Sequence, residues 1–208
     1  MNKVFLDIYL ACNLGDDLFL DVFAKRYPST QVTVNDPGNS YENFLSSFPN
    51  VQSIQYTLLL RVMRNLKLYD RLADYEYFAK KNDALVFLGG SIFRDEPYND
   101  ELYQQRIKLI KAFKKHGKKV HVIGANFGPI RSEKFVEEHR YLFSLCDDVC
   151  FRDTFSYELF KDLKCVSLAP DIIFSLPHKV TKKESNTVSI SVIDFNHVPS
   201  IANLQADY

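Results

Sequence analysis

Five short segments of this sequence combine glycine with side chains that bind ligands or transfer protons. They are Asn13–Asp17, Gly89–Phe93, Gly124–Pro129, Arg152–Ser156 and Ala169–Asp171. Each of them directly follows a stretch that the sequence predicts as a β-strand. In an open parallel sheet, the carboxyl ends of the strands line one crevice, and ligands bind there. The segments therefore predict one shared binding site, unless glycine and proline only turn the chain between strand and helix.

The first segment offers two carboxylates at the beginning of a predicted helix. Gly15 lets the backbone approach a ligand closely, and the helix presents free N–H groups and a positive dipole end. Asp16 has two open interpretations, since it either caps the helix or acts as a general base toward a sugar hydroxyl. Asp17 is a second candidate base, and Asn13 is a candidate substrate contact.

The glycine segments after two later strands offer backbone N–H groups to a ligand. Gly89-Gly90-Ser91 resembles half of a phosphate loop, but it lacks the lysine of a P-loop and the third glycine of a dinucleotide-binding fingerprint. Asn126 and Gly128 lie at the equivalent position after another strand. We take all five residues as candidate substrate-binding residues.

An arginine and an aspartate are adjacent in the fourth segment. Either Arg152 and Asp153 form an internal ion pair that fixes the loop, or Arg152 binds an anionic group of a ligand. Both interpretations stay open on the sequence alone. Arg152, Asp153 and Ser156 complete the set of candidate substrate-binding residues.

The overall composition disfavours several classes of function. The 26 Lys and Arg are balanced by 26 Asp and Glu, so no basic footprint favours nucleic acid or an anionic membrane. The four cysteines form no CxxC pair and the five histidines form no HxxxH or HExxH pair, so no metal site is expected. No apolar run approaches the roughly 18 residues of a membrane span. We therefore expect a cytoplasmic protein with reduced thiols, without a metal or another cofactor.

Strand-like and helix-like stretches alternate along the chain. Apolar strands separated by helices predict parallel β-α-β units with helices on both faces of the sheet. The predicted strands are 4–10, 31–35, 84–88, 120–125, 148–152 and 165–168. The predicted helices are 16–27, a stripe from Ile54 to Leu66, 70–81, 101–116, 133–146 and 154–163. The expected fold class is therefore α/β, with a Rossmann-like, mostly parallel sheet.

The sequence changes character near its end. Residues 178–187 are polar and charged, which is typical of a linker, and 188–193 alternate like a new strand. We expect a Rossmann-like domain over 1–177, a linker over 178–187, and over 188–208 the start of a second domain that is cut short.

In their order along the chain, the five segments resemble the motifs of the polysaccharide pyruvyl transferases. The resemblance runs from about residue 8 to about residue 175. It implies the N-terminal half of a two-domain architecture similar to that of the GT-B glycosyltransferases. It also implies transfer of a pyruvyl group from phosphoenolpyruvate to a sugar of a bacterial surface polysaccharide or of its lipid-linked precursor. Family members are longer, so the resemblance places the main donor-binding residues in the other half and the acceptor side here.

The implied reaction assigns a role to each candidate. A sugar hydroxyl loses a proton as it attacks C2 of the enol, C3 gains a proton, and phosphate leaves as a second hydroxyl closes the ketal. Asp16 and Asp17 are then the candidate bases and Arg152 the candidate anion partner. The amides at 89–91 and 126–128 are candidate donors, and no metal is needed.

Two other functions stay open on the sequence alone. They are half of a nucleotide-sugar glycosyltransferase and a non-catalytic accessory domain. Homo-oligomer formation and peripheral contact with a membrane are open as well.

Overall fold

The strands in the described part of the chain form one sheet. The computed structural model describes residues 2–10, 13–35, 41–54, 62, 66, 75–97 and 99–177. Within these ranges the strands are β1 Lys3–Ile8, β2 Gln31–Val34, β3 Val51–Ser53, β4 Ala84–Leu88, β5 Lys119–Ala125, β6 Asp148–Phe151 and β7 Val166–Leu168. They lie in the order β3-β2-β1-β4-β5-β6-β7, and every neighbouring pair is parallel. The prediction of a mostly parallel sheet is confirmed.

Helices cover both faces of this sheet. In the described ranges they are α1 Leu14–Arg26, α2 Glu42–Leu45, α3 Tyr75–Lys81, α4 Asn99–Lys115, α5 Glu133–Ser144 and α6 Thr154–Phe160, followed by a 3₁₀ turn at Ile172–Ser175. Buried side chains of α3, α4, α5 and α6 pack in one apolar cluster, and those of α1 and α2 pack in a second. The Rossmann-like α/β fold is therefore confirmed as well.

The central strand β4 shows why the sheet is buried on both sides. Leu85 and Phe87 belong to the first cluster, whereas Val86 and Leu88 belong to the second. All four side chains are buried, because successive residues of a strand point to opposite faces. The continuous apolar run in the sequence is therefore the expected pattern for a strand covered by helices on each face.

Strand β3 is an element that the sequence analysis missed, as are the short helix α2 and the 3₁₀ turn at Ile172–Ser175. Val51–Ser53 pairs with β2, and the N–H of Ile54 donates to the carbonyl of Val34 at 2.9 Å. Ile54 directly follows β3, extends its pairing with β2 by one hydrogen bond and is not helical. Val62 and Leu66 of the predicted stripe are exposed, while its other members between 55 and 65 lie outside the described residues.

The contacts divide the chain into two units, Met1–Leu176 and Pro177–Tyr208. The predicted linker at 178–187 and the predicted strand at 188–193 lie outside the described residues. The domain boundaries therefore stay a prediction. Among the described helices, none has the length and apolar character needed to cross a membrane.

Candidate active site at the carboxyl edge of the sheet

Four polar side chains meet at the carboxyl edge of the sheet. Arg152 follows β6, and its Nη1 donates to Oδ2 of Asp171 at 2.6 Å. Its Nη2 donates to Oδ1 of Asn126 at 2.7 Å, and the Ser91 hydroxyl donates to the same oxygen at 3.2 Å. The four residues come from the loops after β4, β5, β6 and β7. We call Ser91, Asn126, Arg152 and Asp171 the edge cluster.

The guanidinium group of Arg152 lies against the backbone of Gly90. A Cβ at position 90 would lie 2.4 Å from Nη2 of Arg152, so only glycine leaves room for the arginine in this position. The guanidinium carbon also lies 5.8 Å from the ring centre of Phe19, within the range of a cation–π contact. Gly90 therefore has a definite role, which is to admit Arg152 to the edge of the sheet.

The predicted amide donors differ between the two glycine segments. At 126–128 every N–H is used inside the protein: Asn126 donates to the Gly90 carbonyl, Phe127 to the Ser156 hydroxyl and Gly128 to the Phe93 carbonyl, at 2.7–2.9 Å. The expectation that these amides bind a ligand is therefore wrong.

In the other segment, the amide of Gly89 donates to the Ile123 carbonyl at 3.4 Å. The amides of Gly90 and Ser91 donate no hydrogen bond within the described part of the chain. These two remain the candidate N–H donors of the site.

Helix α1 begins two residues earlier than predicted, and this changes the role of Asp16. Asn13 is the N-cap, and its Oδ1 accepts from the N–H of Gly15 at 2.9 Å. Asp16 lies inside the first turn, so the interpretation of Asp16 as the cap is wrong. The predicted substrate contact Asn13 uses its side-chain oxygen for this cap.

The Asp16 carboxyl of α1 is electrostatically coupled to the edge cluster through Arg152. Burial raises the pKa of the Asp16 carboxyl, the charge of Asp17 raises it further, and the Arg152 guanidinium opposes the shift. Oδ1 of Asp17 is buried and has no hydrogen-bond partner among the described residues. The structure therefore brings Asp16 and Arg152 into one electrostatic site, with Asp17 increasing the proton affinity of Asp16.

Asp153 and Ser156 have partners inside the protein. Asp153 caps α6, since its carboxylate accepts from the Ser156 N–H at 2.9 Å and from the Ser156 hydroxyl at 2.7 Å. Ser156 is fully buried. The alternative of an Arg152–Asp153 ion pair is wrong, because Arg152 pairs with Asp171. Asp153 and Ser156 anchor the loop after β5 through the amide of Phe127.

Arg106 of α4 is a site-supporting residue that sequence reasoning missed. It is buried, its Nη1 donates to the Ile92 carbonyl at 2.7 Å, and its Nε lies 3.7 Å from Oδ2 of Asp7. Its guanidinium carbon lies 4.9 Å from the ring centre of Phe93. Arg106 therefore holds the loop that carries Gly90 and Ser91. An arginine in an amphipathic helix predicts a solvent-facing side chain, so the sequence carries no signal for this role.

A comparison with protein families decides the assignment. Residues 13–207 match the family model described as polysaccharide pyruvyl transferase. The chain belongs to the polysaccharide pyruvyl transferase family. All five segments of the sequence analysis lie within the matched range, and the resemblance inferred from them is confirmed.

Solved structures with similar folds are longer than this member of the pyruvyl transferase family. HepE of Anabaena in complex with UDP and glucose superposes with a TM-score of 0.52 at 10% identity, over 82% of this chain and 44% of that chain. HepE in complex with UDP gives a TM-score of 0.51 at 12% identity, with the same coverage of 82% and 44%. MurG of Acinetobacter baumannii gives 0.47 at 16% identity, over 88% and 48%. The HepE likeness shows the fold, and this chain spans less than half the length of these structures.

Proposed function

We propose that this chain supplies the acceptor side of a pyruvyl transferase, which moves a pyruvyl group from phosphoenolpyruvate to a sugar of a bacterial surface polysaccharide or of its precursor. Membership of the family supports the transferase assignment. The observation that carries the site is the Arg152 guanidinium, which Asp171 and Asn126 hold at the carboxyl edge. The Asp16 carboxyl, whose pKa is raised by burial, interacts electrostatically with this guanidinium. Such a pair places a proton acceptor beside a cation, as the reaction requires.

Asp16 is the proposed general base. Its raised pKa increases the affinity of the carboxylate for a proton, which favours proton removal from a sugar hydroxyl. The hydroxyl oxygen bonds to C2 of phosphoenolpyruvate while C3 takes up a proton. The bond from C2 to the phosphate oxygen then breaks, a second hydroxyl bonds to C2 with loss of its proton, and phosphate departs with the electron pair. The products are the ketal and inorganic phosphate.

Arg152 is the proposed partner of an anionic group. A guanidinium has five N–H donors, of which Asp171 and Asn126 each take one in the described structure. The remaining donors can bind a carboxylate or phosphate oxygen of the substrate. The open amides of Gly90 and Ser91 lie in the loop beside Arg152 and add neutral donors. This arrangement stabilises negative charge without movement of the backbone.

The donor-binding residues belong, in this proposal, to the C-terminal half of a GT-B-like protein. The full-length protein is proposed to act in the cytoplasm, where its acceptor is a glycan or a lipid-linked sugar. Peripheral contact with the membrane would follow from a lipid-linked acceptor. A homo-oligomer is compatible with this arrangement.

The donor specificity of the full-length protein tests the proposal. Phosphate release and incorporation of pyruvate into glycan are measured with phosphoenolpyruvate, and glycosyl transfer is measured in parallel with UDP- and GDP-sugars. We expect turnover with phosphoenolpyruvate alone. Glycosyl transfer from a nucleotide sugar, without pyruvyl transfer, would assign the protein to the glycosyltransferases instead.

A further inference from the structure

A groove lies between the N-terminal ends of α4 and α5, beside the loops that follow β4 and β5. Its volume is about 330 Å³. Its polar lining includes Glu96, Asn99, Asp100, Arg131, Lys134 and Glu138. None of these residues takes part in the edge cluster or in the proposed chemistry, so the groove is a separate feature of the same edge.

Paired loops connect the groove to the edge cluster. Backbone hydrogen bonds of 2.9–3.1 Å run from Asn126 N to Gly90 O, from Gly128 N to Phe93 O and from Asp95 N to Pro129 O. The Asp95 carboxylate then accepts from the amides of Arg131 and Ser132 at 2.7 and 2.8 Å and so fixes one wall of the groove. Gly90 and Asp95 are five positions apart, which an extended chain spans in at most about 18 Å. A ligand made of a few linked units can therefore reach both places.

The charge of the groove excludes anionic ligands. Four carboxylates and two cations line it. Arg131 lies 3.4 Å from Glu96, and Lys134 lies 3.0 Å from Asp100 and 3.6 Å from Glu138. The cations are thus compensated and the excess charge is negative. A phosphate or carboxylate is repelled, whereas hydroxyl or amino groups can donate to the carboxylates.

Asn99 adds an amide that can bind a ligand. The residue is 5% exposed and lines the groove, and its side chain makes no hydrogen bond within the described structure, although its backbone N–H donates to Glu96. Its side-chain nitrogen and oxygen are not among the buried polar atoms of the described residues that lack a partner, so they are open to the groove. Since an amide both donates and accepts, a hydroxyl group matches it well. Pro97 is exposed and gives the groove apolar surface beside these polar groups, with the buried Phe135 behind it. Apolar faces with hydroxyl groups at the edges describe a sugar ring.

We propose that this groove binds a further sugar residue of the acceptor glycan, an uncharged or amino sugar linked to the one that reacts at the edge cluster. The inference rests on the proposed function, because that function supplies the glycan. The groove is then a subsite that selects acceptors longer than a monosaccharide and rejects the anionic donor.

Glycan binding tests the subsite without any catalytic step. The fluorescently labelled protein is applied to an array of defined glycans from mono- to tetrasaccharides, including amino and N-acetylated sugars, and the affinities are then measured in solution. We expect an oligosaccharide to bind more tightly than its terminal monosaccharide. Glu138→Gln and Asn99→Leu should each weaken this binding about tenfold, as expected for a lost hydrogen bond to a charged or buried group. The matched control is Glu137→Gln, an exposed neighbour on α5 that does not line the groove.

Each outcome of this experiment decides the proposal. The subsite is overturned if no glycan binds, or if Glu138→Gln binds glycans as tightly as Glu137→Gln. Circular dichroism checks the fold of each variant, and Glu138→Gln alone decides the question if Asn99→Leu does not fold. A glycan that binds through the groove but accepts no pyruvyl group would contradict the proposed function and leave the subsite standing. A glycan that is pyruvylated and binds equally well to Glu138→Gln would overturn the subsite alone.

Discussion

Arg152 depends on its neighbours for its position at the edge of the sheet. Asp171 and Asn126 bind two of its nitrogen atoms, and Gly90 gives it space. Each partner follows a different strand, so the position of the guanidinium is set by the sheet and not by its own loop. The sequence shows that an arginine follows a strand, but its partner, nineteen positions along the chain, is visible only once β6 and β7 are adjacent.

Replacing Asp16 by asparagine separates catalysis from stability. Because Asn13 caps α1, Asp16→Asn leaves the cap intact and removes only a first-turn charge, which changes stability by about 1 kcal/mol or less. If Asp16 is the base, pyruvyl transfer by the full-length protein should fall about 100- to 10,000-fold. Turnover and the melting temperature are measured together. The control is Asp21→Asn on the same helix, which loses only an ion pair with Lys25. Near-normal turnover of a folded Asp16→Asn protein would exclude Asp16 from the mechanism.

Replacing Gly90 by alanine should displace Arg152 without unfolding the protein. The added Cβ would lie 2.4 Å from Nη2, so the end of a flexible side chain must move while the backbone stays in place. We expect kcat/KM for phosphoenolpyruvate to fall at least tenfold at an almost unchanged melting temperature. Gly15→Ala is a comparison for stability alone, because Gly15 is itself a candidate ligand contact and its added Cβ would lie 3.4 Å from Oδ1 of the N-cap Asn13. Helical alanine should raise stability by about 0.5–1 kcal/mol there. Equal activity of Gly90→Ala and wild type would contradict the role of Arg152.

At the scale of the elements, local signals explain both the correct predictions and the errors. Continuous apolar runs identified β4, and Ser132 before Glu133 is a cap whose hydroxyl accepts from Phe135 at 3.3 Å. The strand β3 has three residues with a polar centre, and its pairing with β2 is a long-range contact that no local pattern indicates. The start of α1 was misplaced because Asn13 and Asp16 are equally good caps by residue type. Only the geometry of the turn distinguishes them.

His139, a histidine of α5 buried among aromatic rings, should make the stability of the protein depend on pH. His139 is fully buried among the rings of Phe93, Phe127 and Phe135, and its Nε2 has no hydrogen-bond partner in the described structure. Burial lowers the pKa of His139 to about 4 from 6.5. Between these pH values the unfolded chain binds more protons at this histidine than the folded chain does. The contribution of His139 to the free energy of unfolding is therefore fully present above pH 6.5 and is lost as the pH decreases toward 4. The loss is of the order of 3 kcal/mol.

Urea unfolding at several pH values measures this effect. The free energy of unfolding of His139→Leu should lose most of its dependence on pH between 6.5 and 4, whatever its absolute stability. His121→Gln, which replaces a partly exposed histidine of β5, should keep the dependence. An unchanged slope in His139→Leu would show that other groups cause the pH dependence.

For the whole molecule, the fold was predictable because its pattern repeats. Each β-α-β unit contributes the same alternation, so one misplaced element does not change the topology, and the carboxyl ends of all strands necessarily share one edge. The composition of the site was predictable for the same reason. The contacts within the site were not predictable from the sequence, because they depend on packing between different β-α-β units. Examples are the Arg152–Asp171 pair, the Arg106–Ile92 contact and the internal hydrogen bonds of the amides at 126–128.

The electrostatics of the chain predict weak binding of the donor by these 208 residues alone. Arg152 pairs with the Asp171 carboxylate and interacts electrostatically with Asp16, and Asp17 adds a third negative charge that acts on Asp16. Phosphoenolpyruvate is itself an anion, so we expect a Kd weaker than about 1 mM in a calorimetric titration, until cationic groups of the full-length protein are added.

Asp171→Asn should strengthen this binding, because the ionised carboxylate competes with the ligand for Arg152. Asparagine can still accept the Ile173 N–H bond that Asp171 accepts at 3.0 Å, so the 3₁₀ turn should persist. We expect an increase of about tenfold in the affinity for phosphoenolpyruvate, which corresponds to about 1.4 kcal/mol of binding free energy. The control is Asp162→Asn, which removes a carboxylate that pairs with Arg140 outside the edge cluster. This variant should leave the affinity for phosphoenolpyruvate unchanged. Micromolar binding by the wild-type chain would show that it already contains a donor site. Equal affinities of wild type and Asp171→Asn would show that the donor does not bind at Arg152.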